Sequence, residues 1–192
     1  MQLTKNTIAS ILAFTATATA APFTARDTLQ PWQVSGVAVF SPSGRPGQYP
    51  WPTITANVTD PNEILLGTAE DGTPVTLPAG SVAANCEAKW LTGTEPTNHF
   101  WPCDASGEGD GYWFMEVVAG ANGFSSTNFD LKFTRVAQTL YRGSSYTKKF
   151  EGEGHFEIGQ NLGGSCGGSG VCFWGLKPEN SPFPVQQEEV AA

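Results

Sequence analysis

Residues 150–159 (FEGEGHFEIG) hold the densest set of proton-moving groups in the chain. On an extended strand Glu151, Glu153, His155 and Glu157 share one face, while Phe150, Phe156 and Ile158 share the other. Carboxylates flanking an imidazole can act as general acid and base, or hold a metal. The large apolar residues opposite them favour a plainer role, a half-buried strand whose charged stripe faces water. His99, the only other histidine, has no Ser or Asp set beside it that suggests a triad. Residues 163–167 (GGSCG) match G-x-S-x-G in letter, but within 163–170 (GGSCGGSG) they read as a turn closed by cysteines and not as a strand-to-helix nucleophile elbow. Phosphate-cradling and dinucleotide-binding glycine motifs are missing. The expectation is a protein that is not an enzyme, with no catalytic residue, metal or cofactor.

The thiols point elsewhere. Cys86, Cys103, Cys166 and Cys172 make an even set, which in an exported chain reads as two disulfides. Four cysteines allow three connectivities. Loop geometry favours the sequential one, Cys86 with Cys103 and Cys166 with Cys172, because the GGSGV stretch inside the second pair permits a tight return. Closing the first loop constrains the unfolded chain by about 3 kcal/mol. Neither spacing supplies C-x-x-C or histidine partners for zinc. With no thiol left over, a covalent dimer is not expected.

Export is read from the first residues. Lys5 precedes a short apolar run at 8–14, and Ala18 and Ala20 suit an A-x-A cleavage site, so residues 1–20 are expected to be a removable signal. That run is too short to span a bilayer, and no later stretch approaches the roughly 20 residues required. The chain holds 18 acidic against 10 basic residues, a formal net charge of −8. Such a surface repels phosphate backbones and anionic membranes, so neither nucleic acid nor membrane is an expected partner.

These residues must be positioned by short strands. Residues 21–31 read as a flexible leader, 32–176 as one β domain, and 177–192 as an extended or disordered tail. Residues 53–59 (TITANVT) alternate cleanly, with Ile54, Ala56 and Val58 on one face. Residues 111–118 (GYWFMEVV) and 129–133 (FDLKF) are the strongest strands, whereas 32–40 (WQVSGVAVF) alternates imperfectly. The only helical candidate, 62–66, is too short to stand alone. About ten short strands between Gly and Pro clusters indicate an all-β fold, a single compact antiparallel barrel or barrel-like sandwich. Trp51, Trp90, Trp101, Trp113 and Trp174 are mostly expected inside, and Trp51, in the Pro/Gly loop at 41–52, is the best candidate for exposure. Asn57 opens the sequon Asn57-Val58-Thr59 on the polar face of its strand, a candidate glycosylation site.

Trp32-Gln33-Val34-Ser35, Cys86-Glu87-Ala88, Trp101-Pro102-Cys103, the 111–117 strand, FDLKF and the closing Gly-rich cysteine pair together resemble the fungal Alternaria major-allergen-like family. The resemblance spans about residues 32–176. It implies a compact β-barrel with sequential disulfides and a secreted, non-enzymatic fungal protein of the allergen, effector or elicitor kind. Its expected partner is a host extracellular protein of plant defence. The family's best-known member carries an extra N-terminal cysteine that links a dimer, and no cysteine precedes Cys86 here. A carbohydrate-binding module of the cell wall is the other function expected from a Trp-rich β fold.

Overall fold

The computed structural model describes residues 29–104, 109–120 and 123–191. The expected signal at 1–20 and most of the leader lie outside them. Among the described residues the chain forms β1 (Trp32–Ser41), β2 (Thr53–Asp60), β3 (Ile64–Thr68), β4 (Pro74–Leu77), β5 (Ser81–Lys89), β6 (Phe100–Pro102) and β7 (Gly111–Val118). It continues through β8 (Asn128–Tyr141), β9 (Ser144–Glu157), β10 (Leu162–Cys166), β11 (Cys172–Leu176), β12 (Phe183–Val185) and β13 (Gln187–Val190). A single 3-10 turn, Pro178–Asn180, interrupts the strands, and no helix among the described residues is long and apolar enough to cross a membrane. The fold is all-β, as the sequence indicates.

Two antiparallel sheets face each other as a barrel-like sandwich. One runs β10-β11-β1-β2-β5, with β12 also paired to β1; the other runs β13-β9-β8-β7-β6. A hairpin of β3 and β4 stands apart and contributes Ile64, Leu66 and Leu77 to the same core. Ile54, Ala56 and Val58 of β2 meet Trp113, Met115 and Val117 of β7 and Phe129, Leu131 and Phe133 of β8 in one buried cluster. The edge of Trp32 stands against Trp113 across the two layers, with ring centroids 4.7 Å apart.

The imperfect alternation of the first strand has a local cause. Trp32 and Val34 point inward, the register to β2 slips between Val34 and Gly36, and Val37 and Val39 then resume the inward phase. The extra residue is a β-bulge. A second slip faces it across β2, where Asn85 adopts a left-handed φ of 47° between inward Ala83 and Cys86. The long β8–β9 hairpin turns through Arg142-Gly143, both at positive φ, as a two-residue turn between right-twisted strands demands.

Both sides of the sandwich are laced. On one side the Cys86–Cys103 disulfide and an Ala84–Asp104 bridge join β5 to the chain leaving β6. On the other, residues 177–191 do not trail over the surface as expected. They pair β12 with β1 in the first sheet and β13 with β9 in the second. Val185 is buried and Phe183 packs on Phe156, with centroids 5.0 Å apart, so this segment covers core that both sheets leave open. It also explains two glycines in FEGEGHF. A Cβ on Gly152 would lie 2.9 Å from the Gln186 carbonyl oxygen, and one on Gly154 2.9 Å from Val185. The inward face of β9 is glycine where the C-terminal strap crosses it.

Candidate functional site

The disulfides form in the sequential pattern, Cys86–Cys103 and Cys166–Cys172, and no free cysteine remains among the described residues. Bonds of this kind persist in oxidising compartments. The second pair closes the β10–β11 hairpin at register partners.

The charged stripe of β9 lies on the outer face of its sheet. His155 Nδ1 is 2.6 Å from Asp130 Oδ1, its register partner on β8, and Nε2 is 3.5 Å from Glu157. Glu151 is gripped by Lys132 and Lys149, each at 2.7 Å, and the two lysines hold its carboxyl below the usual range. No group of three or more His, Cys, Asp or Glu among the described residues is arranged to hold a metal. His99 is exposed in its loop, 5.7 Å from the Trp101 ring. Asp130, then Glu157, raises the His155 pKa against a smaller opposing push from burial. With the folded pKa above the unfolded value, this contact stabilises the fold fully below about pH 6.5 and fades as pH rises through the folded pKa. Because 45% of the His155 side chain is exposed, screening keeps the effect under about 1 kcal/mol. His155→Gln therefore lowers the melting temperature slightly at pH 5.5 and not at pH 9; a His155 ring titrating below about 6.5 by NMR would contradict the pairing.

A cluster of exposed apolar side chains lies elsewhere, at one end of the outer face of the first sheet. Phe40 on β1 and Phe173 on β11 are register partners, with ring centroids 5.0 Å apart, and Tyr49 adds its ring 5.9 Å from Phe40. Residues 49–52 extend β2 backwards. The Trp90 N–H donates to the Pro52 carbonyl at 3.3 Å and the Thr92 N–H to the Pro50 carbonyl at 2.8 Å, which sets Leu91 opposite Trp51. Phe173, Tyr49, Leu91 and Trp51 are 60, 51, 45 and 39% exposed. Lys89 lies 5.7 Å over the Tyr49 ring, and its hydrogen bond to that tyrosine raises its pKa. Exposed apolar groups gathered in this way mark interaction sites more often than scattered ones do.

The tryptophans divide as the sequence suggests. Trp90 and Trp113 are buried, Trp101 and Trp174 are half-buried against the core, and Trp51 is exposed. Sequence reasoning misses Phe173, Tyr49 and Leu91, and also a second aromatic ridge on the opposite sheet, Phe100–Phe114–Tyr112. In GYWFMEVV the outward parity is itself aromatic, a signal that was available. Asn57 is exposed on the outer face, and its Oδ1 accepts the Asn85 N–H at 3.0 Å. No protein-family model, curated protein or solved structure matches the chain.

Proposed function

We propose that this protein is a secreted, non-enzymatic interaction protein of the effector, elicitor or allergen-like kind, and that it docks an extracellular host protein of plant defence. One observation carries the reading: the aromatic platform of Tyr49, Trp51, Leu91, Phe40 and Phe173, held rigidly on a sheet whose two disulfides suit an oxidising space. Rigid aromatic groups lose little conformational freedom on binding, which makes them effective anchors. The charged stripe around His155 serves as a solvated sheet face and takes no part in chemistry. The resemblance to the Alternaria allergen-like family supports the same assignment, and the sequon and signal fit export.

The other reading, a wall polysaccharide module, draws on the exposure of Trp51 and Tyr49. Sugar stacking needs rings that lie flat together, and the platform rings incline to one another by 40° and 48°. Retention from plant apoplastic fluid tests the first reading, and sedimentation with insoluble chitin, glucan or cellulose tests the second. Trp51→Ala and Phe173→Ala each weaken capture of the protein partner by about 2 kcal/mol, roughly 30-fold, whereas Leu140→Ala on the far hairpin changes nothing. Saturable retention on a polysaccharide with no protein captured would reverse the choice.

A further inference from the structure

Beside the platform, the outer face of the first sheet has a lane of short side chains. Gly36 and Ala38 on β1 pair with Asn57 and Thr55 on β2, and Ala38 pairs on its other side with Gly175 of β11. Ala38 is exposed, and a Cβ added to Gly36 or Gly175 would meet no atom closer than 3.5 Å. Asn57 borders this lane. The Asn85 N–H holds its Oδ1, which turns Nδ2 the other way; a Cβ on Gly36 would sit 3.7 Å from that nitrogen. Thr59, the third residue of the sequon, lies on the same face as Asn57. The amide nitrogen of an acceptor asparagine is thus aimed along a flat, unobstructed floor.

We infer that Asn57 carries an N-linked oligosaccharide, and that its first N-acetylglucosamine lies flat over the Gly36–Ala38–Gly175 lane. The inference rests on the export reading above. In the transfer, Nδ2 attacks C1 of the first sugar of a polyprenyl-diphosphate-linked oligosaccharide. The N–C1 bond forms and the C1–O bond to phosphate breaks. The diphosphate leaves with the bonding electrons, and Nδ2 gives up one proton to a base of the transferase. Addition precedes folding, and the lane then receives the apolar face of the sugar without displacing any large side chain. Ala38 and Phe40 are two residues apart on β1, about 7 Å, so the glycan borders the aromatic platform and leaves a partner to approach from its far side.

Site mapping by mass spectrometry on protein from the culture medium, followed by endoglycosidase release, tests this. Asn57 is expected to be occupied, and release from the native protein to run about tenfold slower than from reduced, heat-unfolded protein. Ala38→Arg, an exposed substitution that fills the lane, is expected to bring native release close to the unfolded rate while leaving occupancy unchanged. An exported chain with bare Asn57 overturns the inference and leaves export standing. Equal release rates from native and unfolded protein overturn the seat on the sheet. A chain retained inside its cells overturns the export reading, and this inference with it.

Discussion

A chain shortened to end at Lys177 melts about 10–20 °C below the full-length protein, because removing the strap unseals one whole side of the sandwich. Phe183 and Val185 leave the floor over Phe156 and Trp32, and Gln187 gives up its part-buried bond to the Gln30 carbonyl. Large apolar side chains lost from a core cost about 2–5 kcal/mol each, and two strand pairings go with them. The loss is comparable to the total stability of many domains. Gly152→Val tests the same contact without a truncation. Its side chain would collide with the Gln186 carbonyl and Val185, so the strap must lift. Thermal unfolding followed by circular dichroism decides the matter. An unchanged melting temperature for both variants would mean that the strap rests on the surface and seals nothing.

Asp60→Ala destabilises by about 3–5 kcal/mol, the cost of leaving a buried charge without its partner. Arg135 is fully buried, and its guanidinium pairs with Asp60, which is 1% exposed. Its Nη2 lies 3.7 Å from Asp110, and its carbon stands 5.7 Å over the Trp113 ring. The Trp113 Nε1 in turn donates to the Ser81 hydroxyl at 3.2 Å. This polar knot sits between β2 and β8, so it also ties the two sheets together. The double variant Asp60→Leu/Arg135→Met removes both charges and recovers most of the loss, since apolar residues of similar volume replace buried ion pairs at little cost. Chemical denaturation gives both numbers. A loss under about 1 kcal/mol for Asp60→Ala would show that Arg135 finds adequate compensation elsewhere.

Strand parity makes most of this core readable. Ile54, Ala56 and Val58, and likewise Phe129, Leu131 and Phe133, go inward because only one face of each strand meets the other sheet. The same parity places Asp60 and Arg135 inside, and a charged residue in phase with three core residues was a signal open to the sequence reading. Other features depend on distant chain. The bulge at Ser35 hides the phase of β1 because it adds one residue without a distinctive turn motif. Pro182 and Pro184 make residues 177–191 look like a loose tail, yet both prolines leave the ladder partners of β12 intact against the edge of β1. Gly152 and Gly154 make sense only once the strap is seen to cross them. The platform is partly legible. Trp51 falls in a Pro/Gly loop and is exposed as such residues often are, whereas the exposure of Phe173 depends on which face of β11 the core occupies.

Binding of a plant extracellular partner to the folded, oxidised protein, titrated beside Trp51→Ala/Phe173→Ala and Tyr112→Ala, tests the docking platform most directly. Interaction through the first sheet gives at least about a hundredfold weaker binding for the double variant and wild-type affinity for Tyr112→Ala. Unchanged affinity for the double variant, or a loss confined to Tyr112→Ala, would move the interaction to the opposite sheet and contradict the assignment.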